Sequence, residues 1–262
     1  MNTLECHALG VGLPGGPRLA TVDAALQPGR FTAILGPNGA GKSTLLAMLS
    51  GQRAPQAGEV RLGDRPLPRY TPAQLALVRA VMPQENAVAF DFTVQEVVEW
   101  GRFAHRMAPS PHEGAIALRA LEATGVAHLA QRNINTLSGG ERARAHLARA
   151  LAQIWEPRPD GAARWLLLDE PTAALDLAHQ HQAMRLLRRW AQEQGVGVVA
   201  VLHDLNLALR YAHDVLLLDS GQYRYGPVAH TLTADAIAQV WQVACTPVPA
   251  PDGVLQYLFS SD

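Results

Sequence analysis

The stretch that constrains this chain most is residues 36–43, Gly-Pro-Asn-Gly-Ala-Gly-Lys-Ser, which matches the pattern G-x-x-x-x-G-K-[ST] at every fixed position. A short, largely apolar run at 31–35 precedes it, as expected of a strand buried on both faces, and residues 44–49 have the character of a helix. Such a loop between a strand and a helix can point successive backbone N–H groups at one anion. We therefore predict that residues 36–43 bind phosphate, and we call them the phosphate loop.

Two side chains of this loop indicate that it binds a nucleotide together with a metal ion. Lys42 would neutralise the β- and γ-phosphates, and the Ser43 hydroxyl would complete the coordination of Mg²⁺. The alternative, a glycine-rich turn with a surface lysine, is disfavoured because the motif is complete and stands between a strand and a helix.

Length and composition limit the number of domains and the class of protein that the chain can form. Its 262 residues suffice for one large domain or two small ones, and 48% hydrophobic with 17% charged residues is typical of an α/β protein. The net charge of -1 gives no general attraction to nucleic acid. Cys6 and Cys245 lie at opposite ends, which fits a reducing cytoplasm better than a disulfide framework or a zinc site. We expect neither a signal peptide nor a membrane span, so another chain would hold this protein at a membrane.

Hydrophobic patterns predict an α/β fold. Edge strands are expected at 3–9 and 19–26, and a helix is expected to begin after Thr71, with proline and glutamine at its first and third positions. The last 37 residues, 226–262, should carry a helix at about 233–243 and one more extended segment. Further strands are predicted at 58–62, 80–82, 165–168, 198–202, 215–218 and 222–225, and a long helix at 177–194.

Between residues 85 and 137 the strand signals vanish and helices dominate, beginning with a capping box at Thr93-Val94-Gln95-Glu96. We predict a single domain, 1–262, in which a helical subdomain at 85–155 interrupts a nucleotide-binding core made of 1–84 and 156–262. Val94, Val97, Val98 and Trp100 partly line one helix face and are expected to pack inside the subdomain. The apolar loop 87–92 is open to two interpretations, core packing or a docking surface for a partner.

Four polar features each follow a buried strand: the phosphate loop, Gln84, the pair Asp169-Glu170, and His203. Ligands of open parallel sheets bind beyond the carboxyl ends of the strands, so these groups should meet at one crevice. Asp169 would hold Mg²⁺, usually through water. Glu170 would lie near the attacking water as general base or positioner, a role that typically contributes about 10²–10⁴-fold.

The ordered motif set resembles the nucleotide-binding subunits of ABC transporters over residues 20 to 225. Leu137-Ser138-Gly139-Gly140-Glu141 matches their signature sequence, Gln84 the Q-loop, residues 166–170 the Walker B strand, Ala174-Leu175-Asp176 the D-loop, and His203 the switch histidine. The resemblance implies a P-loop NTPase core, with a RecA-like mixed sheet and an N-terminal antiparallel β part, plus the inserted helical subdomain. It also implies a homodimer of ATPase subunits that binds two ATP and Mg²⁺ between its chains.

The resemblance assigns roles to individual residues. Glu170, His203 and Gln84 would be catalytic, and Ser43, Gln84 and Asp169 would hold the metal. Ser138 and the N–H groups of Gly139 and Gly140 would grip the γ-phosphate bound to the other chain, since they form an anion site at a helix N-terminus. The residues expected to bind ATP are Gly36, Pro37, Asn38, Gly39, Ala40, Gly41, Lys42, Ser43, Thr44, Ser138, Gly139, Gly140 and Asp176.

One position departs from the family pattern. Many members stack adenine on an aromatic residue ahead of the second strand, but Leu13 aligns there and residues 1–30 contain no Phe, Tyr or Trp. Adenine is therefore expected to be held by apolar contact, or by a residue that the sequence pattern does not identify.

A narrower resemblance concerns the transported substrate. Residues 81–86 and 202–208, the tryptophan-flanked loop 155–165 and the lack of an extra C-terminal domain are similar to the ATPases of metal-chelate importers, most of all haem importers. This implies a permease dimer as partner, a periplasmic or surface binding protein as indirect partner, and a peripheral place on the cytoplasmic face of the inner membrane.

Three alternatives stay open. Ferric-siderophore and cobalamin importers share much of the same pattern. A soluble ABC ATPase acting on nucleic acid or ribosomes is disfavoured, because such proteins generally carry coiled-coil insertions, paired ATPase units or basic extensions that are not seen here. A nucleotide-binding scaffold without catalysis is disfavoured because no catalytic position is missing.

Overall fold

The structure is a computed structural model that describes residues 3–12, 15–84, 88–219 and 221–260. Its strands are β1 (Leu4–Gly12), β2 (Arg18–Leu26), β3 (Phe31–Leu35), β4 (Glu59–Leu62), β5 (Arg65–Pro66), β6 (Arg79–Met82), β7 (Trp165–Asp169), β8 (Gly197–Val201), β9 (Asp214–Asp219), β10 (Gln222–Pro227), β11 (Ala244–Pro249) and β12 (Leu255–Ser260). Its helices are α1 (Lys42–Leu49), α2 (Pro72–Val78), α3 (Val94–Glu99), α4 (Glu113–Ala123), α5 (Gly139–Gln153), α6 (Leu177–Gln194), α7 (Leu205–Tyr211), α8 (Val228–Thr231) and α9 (Ala234–Trp241).

The central sheet has the strand order β10-β9-β3-β8-β7-β6, and neighbouring strands are parallel from β9 through to β6. The register aligns the strand ends: Val201 of β8 lies opposite both Ile34 of β3 and Asp169 of β7. A second sheet, β2-β1-β4-β5, is antiparallel. The predicted α/β class and the N-terminal antiparallel part are both confirmed.

The central sheet is buried on both faces, which explains the apolar strand ahead of the phosphate loop. All residues of β3 are buried. Phe31, Ala33 and Leu35 belong to a core under α5, α6, α7 and α9, while Ile34 belongs to a core shared with α1 and the antiparallel sheet. Because successive side chains of a strand point to opposite faces, such a strand needs apolar residues at nearly every position.

A third apolar cluster is formed by α3, α4 and α5. Val94, Val97 and Val98 are fully buried in it, as predicted. Trp100 was expected there but is 44% exposed. The reason is helical spacing: at 3.6 residues per turn, Trp100 lies roughly 110° from the centre of the face formed by Val94, Val97 and Val98, so it falls outside the buried face.

Helix α5 joins this cluster to the central sheet. Leu147, Leu151 and Ile154 pack into the core under the sheet, while Ala145 and Ala148 face the third cluster. Capping boxes start three helices, as the sequence predicts: Thr71 with Gln74, Thr93 with Glu96, and Ser138 with Glu141.

The C-terminal segment differs from its prediction. One extended segment was expected, but β11 and β12 pair as an antiparallel hairpin, residues 244–260, which we call the C-terminal hairpin. Strand β11 was not predicted because it contains Pro247 and Pro249, and proline is tolerated mainly in strands at the edge of a sheet. Within the described ranges, no helix combines the length and apolar character needed to cross a bilayer.

Candidate functional site

The sheet order brings the predicted polar groups to one edge. The phosphate loop follows β3, His203 follows β8, Asp169 ends β7 with Glu170 directly after it, and Gln84 follows β6. These four strands are neighbours and parallel, so their carboxyl ends lie side by side.

The phosphate loop has a backbone that only particular residues allow. Gly36 has φ +149°, and a Cβ added there would lie 2.4 Å from the Leu218 carbonyl oxygen on β9. Gly41 has φ +95° and forms the N-cap of α1. Ala40 N–H donates to the Pro37 carbonyl at 3.3 Å, while Asn38 is exposed at the tip. The loop therefore closes tightly against β9 and opens onto the first turn of α1, which contains Ser43 and Thr44.

Lys42 is held against the loop rather than extended into solvent. Its Nζ donates to the carbonyl oxygens of Gly36 at 2.9 Å and Pro37 at 3.0 Å, and the residue is 7% exposed. Burial lowers the pKa of this amine, and the nearby charges of Glu170 and Asp169 oppose the shift. An ammonium group in this place is pre-oriented for an anion cradled by the loop.

Ser43 and Asp169 lie together at the foot of the loop. The Ser43 hydroxyl donates to Asp169 Oδ1 at 3.0 Å. Burial is the largest cause that raises the pKa of the Asp169 carboxyl, and the charge of Glu170 adds to it. A hydroxyl and a carboxylate are hard oxygen ligands of the kind that Mg²⁺ prefers, and a cation would relieve the cost of burying this carboxylate. The two residues therefore fit the predicted metal.

Glu170 is bracketed by the two other predicted catalytic side chains. Gln84 Nε2 donates to its Oε2 at 2.9 Å, and His203 Nε2 lies 2.6 Å from its Oε1. Glu170 has a positive φ of +51°, which is rare for a residue with a Cβ and turns its carboxyl away from the line of β7. Only 15% of its side chain is exposed, against 50% for His203. The amide of Gln84 thus faces Glu170 rather than the Ser43–Asp169 pair.

The signature residues lie at the start of α5, and their hydrogen bonds are local. Glu141 accepts from the Ser138 N–H at 2.9 Å and from its hydroxyl at 2.8 Å, and those bonds lower the pKa of the Glu141 carboxyl. Gly140 packs against the loop after β7, where an added Cβ would be 3.0 Å from the Ala174 carbonyl oxygen. Gly139 lines the same cleft as Asp169 and Glu170.

Asp176 is likewise engaged locally. Its Oδ1 caps α6 by accepting from the His179 N–H at 2.9 Å, and its side chain is exposed. The hydrogen bonds of Ser138 and Asp176 go to their own helices and leave both residues at the surface. Leu13, expected near adenine, lies outside the described residues.

One charged side chain at this site, Arg142, does not belong to any of the predicted motifs. Arg142 lines the cleft beside Asp169 and Glu170 and supplies a positive charge there. Its position four residues after Ser138 could have revealed it, because residues four apart share a helix face.

Comparisons with known proteins agree with this geometry. The family model described as ABC transporter matches residues 19–173. A hemin import ATP-binding protein of Myxococcus xanthus is 44% identical over 262 residues, covering 96% of this chain and 97% of the relative. Another of the same name, from Gloeobacter violaceus, is 49% identical over 220 residues, covering 84% of this chain and 79% of the relative.

Solved structures give the same result. An inward-facing metal-chelate type ABC transporter matches with a TM-score of 0.81 and 29% identity, covering 100% of this chain and 98% of the other. A dimeric bacterial ABC transporter cassette matches with a TM-score of 0.74 and 28% identity, covering 86% of this chain and 98% of the other. The resemblance drawn from the motifs is confirmed, and with it the expectation of ATP binding and hydrolysis. The chain belongs to the ABC transporter family, as an ATP-hydrolysing subunit coupled to transport.

Proposed function

We propose that this chain is the ATPase of a haem importer. The main support is that three relatives, 41–49% identical over 84–96% of the chain, are named hemin import ATP-binding proteins. The match to a metal-chelate type transporter over the whole chain supports the same substrate class. Importers of ferric siderophores and cobalamin remain the alternative, because the ATPase itself does not contact the cargo.

In the proposed catalytic site, the phosphate loop and Lys42 bind the β- and γ-phosphates of ATP. Ser43 and Asp169 hold Mg²⁺, which would screen the phosphate charge. Glu170 accepts a hydrogen bond from the attacking water and positions it for in-line attack. His203 and Gln84 hold the two oxygens of Glu170, which supports their assignment to the same step. Gln84 is also proposed to contact the metal once nucleotide is bound.

Two copies of the chain would complete the site. Ser138 caps the 15-residue helix α5 and Gly139 and Gly140 begin it, with Ser138 and Gly139 exposed and Gly140 half-buried. The N–H groups of Gly139 and Gly140, together with the Ser138 hydroxyl, would meet a γ-phosphate held by another chain. Asp176 is proposed to lie at the same interface. The dimeric cassette among the structural matches supports a homodimer.

We also propose the division into a core (1–84 and 156–262) and a helical subdomain (85–155), supported by the separate apolar cluster of α3, α4 and α5.

An aromatic surface, Phe90, Phe92, Trp100 and Phe103, is proposed to dock the permease. Phe90 is 72% and Phe103 66% exposed. The ring centroids of Phe92 and Trp100 are 4.8 Å apart in an edge-to-face contact. This surface follows Gln84 closely in sequence, and α3 adds Glu96 and Glu99 at its rim. A permease segment with apolar and basic side chains would fit it. Docking would place the subunit peripherally on the cytoplasmic face of the inner membrane, with a periplasmic or surface binding protein feeding the permease.

Uptake by whole cells tests the proposal. Cells of the source organism that lack this gene should lose uptake of radiolabelled haem and regain it with the wild-type gene but not with Lys42→Ala. Ferric siderophore and cobalamin uptake serve as parallel measurements. Loss of one of these instead of haem would replace the substrate, and unchanged uptake of all three would remove the proposed role in chelate import.

A further inference from the structure

His203 lies in the short segment between β8 and α7, residues 202–204, and hydrogen bonds hold both ends of this segment. On the strand side, the Leu202 N–H donates to the Ile34 carbonyl at 3.2 Å. On the helix side, Asp204 caps α7 by accepting from the Leu207 N–H at 2.9 Å. The position of His203 against Glu170 therefore depends on where α7 lies.

Asn206 ties α7 to the C-terminal hairpin. Its Nδ2 donates to the Tyr257 carbonyl at 3.1 Å, and its Oδ1 accepts from the Tyr257 N–H at 2.7 Å. Tyr257 pairs in register with Pro247, which has no N–H to donate. The side-chain amide of Asn206 thus pairs with both the N–H and the carbonyl of Tyr257, as the backbone of a neighbouring strand would.

A second tie lies on the same face of α7. Arg210, four residues after Asn206, forms an ion pair with Asp252 in the turn of the hairpin. The hairpin itself is anchored to the core, because the Tyr257 ring is 5% exposed and its hydroxyl donates to the Leu232 carbonyl at 3.1 Å. Two side chains of α7 are therefore held by one anchored hairpin.

We propose that Asn206 is a positioning residue for ATP hydrolysis. By fastening α7 to the C-terminal hairpin, it holds His203 at the distance from Glu170 that the reaction needs. Asn206 touches none of the reacting atoms and acts through His203. This inference rests on the proposed roles of Glu170 and His203.

The first test is the steady-state ATPase of the full chain carrying Asn206→Ala. We expect kcat to fall about tenfold, because small misplacements of a catalytic group have effects of this order or larger. KM for ATP should stay within about twofold, since the phosphate loop lies on β3 and α1 and not on α7. Asn206→Asp keeps the acceptor for the Tyr257 N–H but loses the donor, and its kcat should fall between wild type and Asn206→Ala.

Gln239→Ala is the matched control. This substitution removes the hydrogen bond that Arg224 donates to Gln239 Oε1 of α9 at 2.6 Å. Like the bond of Asn206, it lies in the C-terminal region, but it does not involve α7. Its kcat should equal that of wild type. Thermal unfolding of every variant shows whether the protein is folded at the assay temperature. If Asn206→Ala does not fold, Asp252→Ala weakens the second tie at an exposed site and should lower kcat in the same direction by about twofold.

A double-mutant cycle with His203→Ala separates positioning from a general structural effect. If Asn206 acts through His203, adding Asn206→Ala or Asp252→Ala to His203→Ala should cause no further loss. Losses that multiply would overturn the inference, as would wild-type kcat in Asn206→Ala. Wild-type kcat in His203→Ala would instead reject the proposed catalytic role of His203, and the inference with it.

Discussion

The substitution Glu170→Gln removes one negative charge from the site and little else. The side chain is 15% exposed and keeps its shape, with Gln84 and His203 still within hydrogen-bonding distance of the new amide. The new NH₂ group would meet a second donor at Gln84, unless one of the two amides rotates. We therefore expect a change in the free energy of unfolding of about 1 kcal/mol or less.

The expected loss of catalysis is much larger. A carboxylate that accepts the proton of the attacking water, or orients it, typically contributes about 10²–10⁴-fold, equivalent to about 2.7–5.5 kcal/mol of activation free energy. An amide cannot accept that proton. ATP affinity should be retained, because Lys42 and the phosphate loop are unchanged. The variant should therefore trap ATP and accumulate as the ATP-bound dimer.

Single-turnover hydrolysis of radiolabelled ATP with Mg²⁺ measures the chemical step, and size-exclusion chromatography with ATP measures dimer formation. Glu193→Gln, the same change at an exposed position near the end of α6, is the matched control and should hydrolyse at the wild-type rate. A rate for Glu170→Gln within about threefold of wild type would refute the assignment of Glu170, because a carboxylate in this role contributes at least about 10²-fold.

Three further predictions follow from other contacts. Lys42→Ala should weaken ATP binding at least about tenfold in a titration, because the ammonium charge is lost; unchanged affinity would contradict the phosphate-loop assignment. Glu113→Gln should lower the free energy of unfolding by about 1–3 kcal/mol at pH 7, because Glu113 receives two hydrogen bonds from Arg102, which is 7% exposed. These bonds lower the pKa of Glu113 from 4.5, so their contribution to stability is present above pH 4.5 and is lost as the pH falls through the lowered pKa. In denaturant unfolding, the free energies of wild type and Glu113→Gln should therefore converge at that low pH. A difference that stays constant with pH would argue against this role of the Glu113 charge. Phe103→Asp should reduce co-purification with the permease, and equal recovery would place docking elsewhere.

The motifs and their convergence could be predicted because each depends on local sequence or on the order of buried strands. The capping boxes at Thr93 and Ser138 are complete within four residues, and the structure forms both. Gln84, Asp169 and His203 each follow an apolar strand, and the parallel sheet then brings their loops to one edge. Pattern alone was sufficient for these features.

Other features depend on tertiary contacts that leave no local signal. Strand β11 was obscured by its prolines. The positive φ of Glu170 and the bond between Asn206 and Tyr257 arise from elements distant in sequence, since 51 residues separate the latter two.

The most direct measurement is a crystal structure of Glu170→Gln with ATP and Mg²⁺. We expect two chains around two ATP molecules, with Lys42 Nζ on phosphate oxygens, Mg²⁺ at Ser43 and Asp169, and Ser138 of the second copy at the γ-phosphate. Nucleotide bound away from residues 36–43, or a dimer in which the start of α5 faces solvent, would contradict this expectation.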